Sequence, residues 1–194
     1  MVLFWIVLGY IAGSIPFGLV LATLISGSDP RRAGSGNVGA TNVTRTCGKK
    51  VGAATLLLDL LKGLIIVLLA RFTGLDDLHA SMVALAVVCG HIFSIFLRFK
   101  GGKGVATTAG VFLALALWQG AVAGILCLLI AWKTRYVSLG ALVMVSLLPI
   151  LLLISGRFAL VPLSLVIAAL LFWSHRENIK RLLQGTEKPW NSSK

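Results

Sequence analysis

A chain of 194 residues that is 58% hydrophobic, with a mean hydropathy of +0.97, lies well above the roughly 45–50% apolar usage of a soluble domain, so most of it must be solvated by lipid. That length holds several spans of about 20 residues and little else, which predicts a single all-α integral membrane domain over residues 1–194. The net charge of +12 is carried in short loops beside apolar runs, as the positive-inside rule and contact with anionic lipid require, and this argues against nucleic-acid binding.

Val2 to Ser26 is the first apolar run. No basic residue precedes it and its core is longer than that of a signal peptide, so it is expected to be a retained span. Gly13-Ser14-Ile15-Pro16 is expected to kink it or to let a neighbouring helix approach closely. The longest polar loop follows, from Gly27 to Lys50, with Asp29 as its single acid. Its Gly34-Ser35-Gly36-Asn37-Val38-Gly39-Ala40-Thr41-Asn42 stretch can wrap an anion with backbone and side-chain donors while Arg45 supplies a bidentate fork. The same composition also suits an ordinary turn-rich loop. Val51 to Phe72 is the second predicted span, and Asp59 and Lys62 at i, i+3 pair on one helix face, either as a structural pair or as the polar floor of a site. A short loop with Asp76, Asp77 and His79 leads to the third span, Ser81 to Leu97, which carries His91 about two turns before its end.

The next turn holds Arg98, Lys100 and Lys103 among Gly101, Gly102 and Gly104. These glycines can take positive φ and bring backbone N–H groups close to a ligand. A helix is predicted from Val105, whose N-terminus favours an anion. A basic hinge between two membrane helices is the plain alternative, and a Walker-type phosphate loop is excluded by spacing and by the lack of a preceding strand. Val105 to Trp132 reads either as one helix or as a hairpin turning at Trp118-Gln119-Gly120. Charge decides between them. With the hairpin, seven spans put fifteen lysines and arginines on the inside against Arg71 and Arg157 outside, with Lys62 buried. One continuous span would give nine against eight, so the hairpin is predicted, with the N-terminus outside and the C-terminus cytoplasmic. Val137 to Ile154, opening on Ser138-Leu139-Gly140-Ala141, and Phe158 to Trp173 are the sixth and seventh spans. In the tail, Ile179, Leu182 and Leu183 form an apolar stripe that predicts an interfacial amphipathic helix after His175. Cys47, Cys89 and Cys127, odd in number and scattered within or near spans, suggest neither a disulfide framework nor a zinc site.

In this topology the Ser35–Arg45 loop, the Lys100–Gly104 turn, the start of the sixth span and the His175–Asn178 tail all face the cytoplasm. Cations, amide donors and histidines then gather in one plane beside lipid, which suits phosphate together with a hydrophobic tail. A transporter of a phosphorylated solute would need polar groups along a through-path and, usually, repeat symmetry, whereas these polar residues gather on one side.

From end to end the chain resembles the bacterial acyl-phosphate-dependent glycerol-3-phosphate acyltransferases, the PlsY family. The resemblance is carried by Ser35-Gly-Asn-Val-Gly-Ala-Thr-Asn42, by Gly90-His-Ile-Phe93 with Phe99-Lys-Gly-Gly-Lys-Gly-Val-Ala-Thr107, by Ser138-Leu-Gly-Ala141 and by His175-Arg-Glu-Asn-Ile-Lys-Arg-Leu182, with Asp59-Leu-Leu-Lys62-Gly63 as a further match. It implies a seven-span fold in the bacterial inner membrane and transfer of a fatty acyl group from acyl phosphate to the 1-hydroxyl of glycerol 3-phosphate. The products are 1-acylglycerol 3-phosphate and phosphate, at the first acylation of phospholipid synthesis. No acyl carrier protein, coenzyme A, cofactor or metal is implied. Taken with the residue reading, it points to Ser35, Arg45, His91, Lys103, His175 and Asn178 as catalytic. The expected substrate-binding set is Gly36, Asn37, Gly39, Thr41, Asn42, Lys100, Gly101, Gly102, Gly104, Thr107 and Ser138, and Asp59, Lys62 and Glu177 are expected to be structural. No sequence-adjacent acid–histidine pair stands beside Ser35 to activate it, so direct transfer without an acyl-enzyme is expected.

Overall fold

A computed structural model describes residues 1–190, which hold ten α-helices and no strand; Lys194, part of the charge count above, lies outside them. The first predicted span is broken into α1 (Val2–Ser14) and α2 (Phe17–Ser26). Pro16 supplies no N–H and drives the preceding Ile15 to φ −60°, ψ 117°, so the helix ends there, a full break where a kink or a close approach is expected from the sequence. At the break the Ile15 carbonyl accepts from the Phe17 N–H at 3.1 Å and from Lys62 Nζ at 3.0 Å. After the polar loop come the short α3 (Ala40–Cys47) and α4 (Lys49–Phe72), the longest helix of the described residues at 24 residues. Helix α5 (Asp77–Ile92) is capped by the Asp76 carboxylate, which accepts from the His79 N–H at 2.9 Å.

The predicted hairpin is present, but its turn lies elsewhere. Helix α6 (Val105–Leu115) passes to α7 (Leu117–Thr134) through Ala116 alone, at φ −150° and ψ 76°. Gly120 has a different role from the one expected. A Cβ there would lie 2.7 Å from the Phe112 carbonyl carbon, so this glycine lets α7 fold back onto α6 and does not itself form the turn. The chain continues through α8 (Val137–Ile154), α9 (Val161–Ser174) and α10 (Arg176–Leu183). The last of these is the predicted tail helix, bent 64° away from the segment before it.

Among the described residues, five segments are long and apolar enough to cross a bilayer, or six if the bent α9–α10 pair is one span. Helix α6, at 11 residues, rises only about 16 Å, roughly half the hydrocarbon thickness. Lipid gives helices little hydrophobic reason to associate, so close backbone contact carries much of the packing. A Cβ on Gly13 would lie 2.1 Å from the Val87 carbonyl oxygen, and one on Gly90 2.2 Å from that of Tyr10, which seats α1 on α5. A Cβ on Gly110 would likewise lie 2.1 Å from the Leu60 carbonyl oxygen, so this glycine lets α6 lie close against α4. Phe112, Met144, Leu148, Ile167 and Leu171 fill the centre between α6, α8 and α9.

The two ends of this bundle differ. At one, Asp77 bridges Arg71 (2.6 Å) and Arg157 (3.3 Å), and Arg157 also donates to the Leu115 carbonyl at the C-terminus of α6. At the other, the first turn of α6 meets the polar loop, the α8 start and the tail around a cavity. Short as it is, α6 therefore reaches from the cavity to the opposite cluster, and the cavity is sunk toward the middle of the bundle.

Candidate active site

The cavity, of about 820 Å³, is lined by all six predicted catalytic residues: Ser35, Arg45, His91, Lys103, His175 and Asn178. Its first wall is the loop before α3, and Asn42 knots that loop. Buried at 2% exposure, Asn42 accepts from the Ser35 N–H at 2.8 Å through Oδ1 and donates through Nδ2 to the carbonyls of Pro30 (2.8 Å), Ala33 (3.1 Å) and Asn37 (2.8 Å). Its donors are committed to the fold, so it shapes the wall that presents Ser35. Asn37 similarly accepts from the Gly39 N–H at 2.8 Å. Asn37, Gly39, Thr41 and Asn42 all line the cavity, whereas Gly36 does not. Arg45, from α3, reaches across to donate through Nη2 to the carbonyls of Lys188 (2.8 Å) and Pro189 (2.9 Å).

The glycine turn is built differently from the sequence expectation. Only Gly104 of the three glycines has positive φ, at 83°, while Arg98 (52°) and Phe99 (62°) take the left-handed conformations. The Gly101 and Gly102 amides donate to the carbonyls of Ile92 (2.9 Å) and His91 (3.0 Å). Helix α5 ends with unpaired carbonyls, and these two amides satisfy them, so they are not offered to a ligand. Gly102 is glycine because a Cβ would lie 2.1 Å from His91 Nε2. Neither glycine lines the cavity and Lys100 is exposed outside it; the wall here is Lys103, Gly104, Val105 and Ala106.

Lys103 Nζ donates to Asn178 Oδ1. Burial pulls its ammonium down to about 8, against the pull of the Glu187 carboxylate and with Arg181 and Arg45 adding to the shift. The floor is a buried polar cluster from three helices. Lys62 Nζ pairs with Asp59 Oδ1 at 2.8 Å, and His91 Nδ1 lies 3.6 Å from the same oxygen. Thr107 Oγ1 donates to the Asp59 carbonyl at 3.0 Å and lies 3.1 Å from His91 Nδ1. With its proton so used, Thr107 accepts from His91 Nδ1–H, which leaves Nε2 as the ring's acceptor. Asp59 and His91 line the cavity, while Lys62 and Thr107 sit beneath it as supports.

The remaining wall comes from α8 and the tail. The buried His175 has Nδ1 committed to the Leu171 carbonyl at 2.8 Å, leaving Nε2 available. Glu177 is exposed in the first turn of α10, where a carboxylate meets the positive helix end. The acid with the structural contacts is Glu187, which the sequence reading did not single out. It accepts from Ser138 Oγ (2.8 Å) and Asn178 Nδ2 (2.6 Å) through Oε1 and from Arg181 Nε (2.7 Å) through Oε2. Burial alone would raise its carboxyl, but the hydrogen bonds from Asn178, Arg181 and Ser138 outweigh this and hold it below the usual range. Arg181 and the Lys188–Pro189 carbonyls were missed with it, since no local pattern marks which of two acids in a basic tail turns inward.

The family described as glycerol-3-phosphate acyltransferase matches residues 3–185. A relative from Lawsonia intracellularis, named glycerol-3-phosphate acyltransferase, is 52% identical over 191 residues, covering 98% of this chain and 96% of its own. Two crystal structures of PlsY, an integral membrane glycerol 3-phosphate acyltransferase, are also similar. Its glycerol 3-phosphate form superposes with a TM-score of 0.92 at 43% identity, and its lysophosphatidic acid form with 0.88 at 41%; each match covers 97% of this chain and 94% of the other.

Proposed function

The chain belongs to the glycerol-3-phosphate acyltransferase family, and from that premise we propose how its cavity acylates glycerol 3-phosphate. The donor is an acyl phosphate, taken without acyl carrier protein or coenzyme A, and the acceptor is the 1-hydroxyl. That hydroxyl oxygen attacks the acyl carbonyl, the bond from the acyl carbon to the phosphate oxygen breaks, and 1-acylglycerol 3-phosphate and phosphate leave. The hydroxyl proton passes to a phosphate oxygen or to His175 Nε2, while His91, whose Nε2 packs against Gly102, supports the floor.

The convergence of Ser35, Arg45, Lys103, His175 and Asn178 on one sunken cavity carries this reading. Each phosphate brings about −1.5 to −2 charges near neutrality, and Arg45, Lys103, Arg181 and the α6 N-terminus offset much of that charge. An acyl phosphate is already activated, so holding hydroxyl against carbonyl supplies most of what remains. The flanking apolar helix faces leave the acyl chain in the bilayer. Ser35 positions phosphate and forms no covalent intermediate.

Seven crossings, with the N-terminus outside and the cavity on the cytoplasmic face of the inner membrane, accord with the fifteen-to-two distribution of basic residues. The reach of α6 from the cavity to the Arg157 cluster favours the same count. Purified protein in detergent, given a long-chain acyl phosphate, is expected to release phosphate only when glycerol 3-phosphate is added. With acyl phosphate alone its intact mass should stay unchanged. Release without glycerol 3-phosphate would sink the transfer reaction, and an added acyl mass discharged by glycerol 3-phosphate would sink direct transfer.

A further inference from the structure

Past α10 the chain turns at Gly185, φ 68°, and the Thr186 N–H donates back to the Arg181 carbonyl at 2.8 Å. That turn aims Glu187 into the cavity and not toward water. The backbone beyond is tied on two sides. Arg45 holds the carbonyls of Lys188 and Pro189 at 2.8 and 2.9 Å, and the Trp190 N–H donates to the Arg135 carbonyl at 2.9 Å. Residues 186–190 thus form a strap from α10 across the cavity to the α7–α8 junction.

The Glu187 side chain is 8% exposed, and its two oxygens take the Ser138, Asn178 and Arg181 donors at 2.6–2.8 Å. Lys103 stands one group away, on the other oxygen-bearing end of the Asn178 amide. These are the donors and cations a phosphate needs. We propose that Glu187 is a built-in competitor for substrate phosphate, and that strap 186–190 closes the site by placing a carboxylate where glycerol 3-phosphate must bind; this rests on the acyltransferase reading above.

The chemistry suits such a role. Arg45, Lys103 and Arg181 repel one another in a partly buried site, and one carboxylate relieves that repulsion. It carries a single charge on two oxygens, whereas a phosphate carries about −1.5 to −2 on three acceptor oxygens. The phosphate therefore outcompetes the carboxylate at sufficient concentration, and the strap lowers apparent affinity by the fraction of molecules that are open.

Full-length E187A and E187Q are to be compared with the unmodified protein in one detergent, by titration calorimetry with inorganic phosphate alone and by kinetics in glycerol 3-phosphate. A strap closed in roughly two-thirds to nine-tenths of molecules predicts that E187A binds phosphate about three- to tenfold more tightly and lowers KM by the same factor, with kcat held. E187Q keeps an acceptor for Ser138 and Asn178 but loses the charge facing Arg181, so it falls between. An unchanged or raised KM makes Glu187 a plain structural acid, and loss of kcat in both variants makes it part of the machinery; either overturns the proposal. If the unmodified protein shows no glycerol 3-phosphate-dependent transfer, the functional reading fails instead, and the phosphate titration alone then decides the strap.

Discussion

Lys103 is a largely buried lysine whose proposed role needs its charge. Its ammonium is held to about 8 by burial, so the charged form is complete below that pH and lost as pH rises through it. If this charge helps bind phosphate, kcat/KM for glycerol 3-phosphate should fall above about pH 8, because that ratio reports the free enzyme. Lys103→Arg keeps its charge throughout this range, and its profile should stay flat there even if its absolute rate drops. An alkaline limb identical in the two proteins would assign the titration to another group. His91 and Gly102 illustrate a different constraint, since the ring occupies the space a Cβ at 102 would need. Gly102 therefore serves the site through His91, not through an amide offered to phosphate.

At the scale of elements, the buried Asp59–Lys62 pair joins the broken first span to α4 and to the cavity floor. Each side chain is 5% exposed, and Lys62 also donates to the Ile15 carbonyl at the α1–α2 break. Removing one partner of a buried pair leaves a charge without compensation, typically about 3–5 kcal/mol, while removing both costs less. Asp59→Ala should therefore melt well below the unmodified protein in detergent, and the Asp59→Ala/Lys62→Ala double variant should recover part of the loss. A single variant that melts within a degree or two of the parent would reduce the pair to a bystander. The break at Ile15-Pro16, the α4 pair and the α10 helix were all legible in sequence, because proline geometry and i, i+3 spacing are local. The α6–α7 turn was displaced from Gly120 to Ala116 because that glycine is required by contact with Phe112, which no single helix reveals.

For the whole molecule, the prediction concerns sidedness. Single cysteines at Leu78 and Gly156, beside the Arg71–Asp77–Arg157 cluster, should react with an impermeant reagent on intact cells. Cysteines at Arg32 and Thr186, on the cavity end, should react only after permeabilisation. Labelling of position 186 from outside would invert the arrangement and place the site away from the cytoplasm. The Asp77 position itself is unsuited to this test, because its carboxylate holds both arginines.

Hydropathy, the asymmetry of lysine and arginine, and four motif blocks were enough to define a helical membrane enzyme with its cationic segments at one end. These properties sum over residues that are close in the chain, so they can be read without coordinates. The same reading named all six residues that the fold brings to the cavity as predicted catalytic groups. Tertiary structure alone decided which donors remain free. The amides of Gly101 and Gly102 go to the carbonyls ending α5, and Asn42 spends its amide on its own loop. It also decided that Glu187, 49 residues from Ser138, occupies donors of the site. A hydrogen-bond partner is set by where helix ends and tails meet in space, and one carboxylate in a basic tail carries no periodicity to announce that meeting.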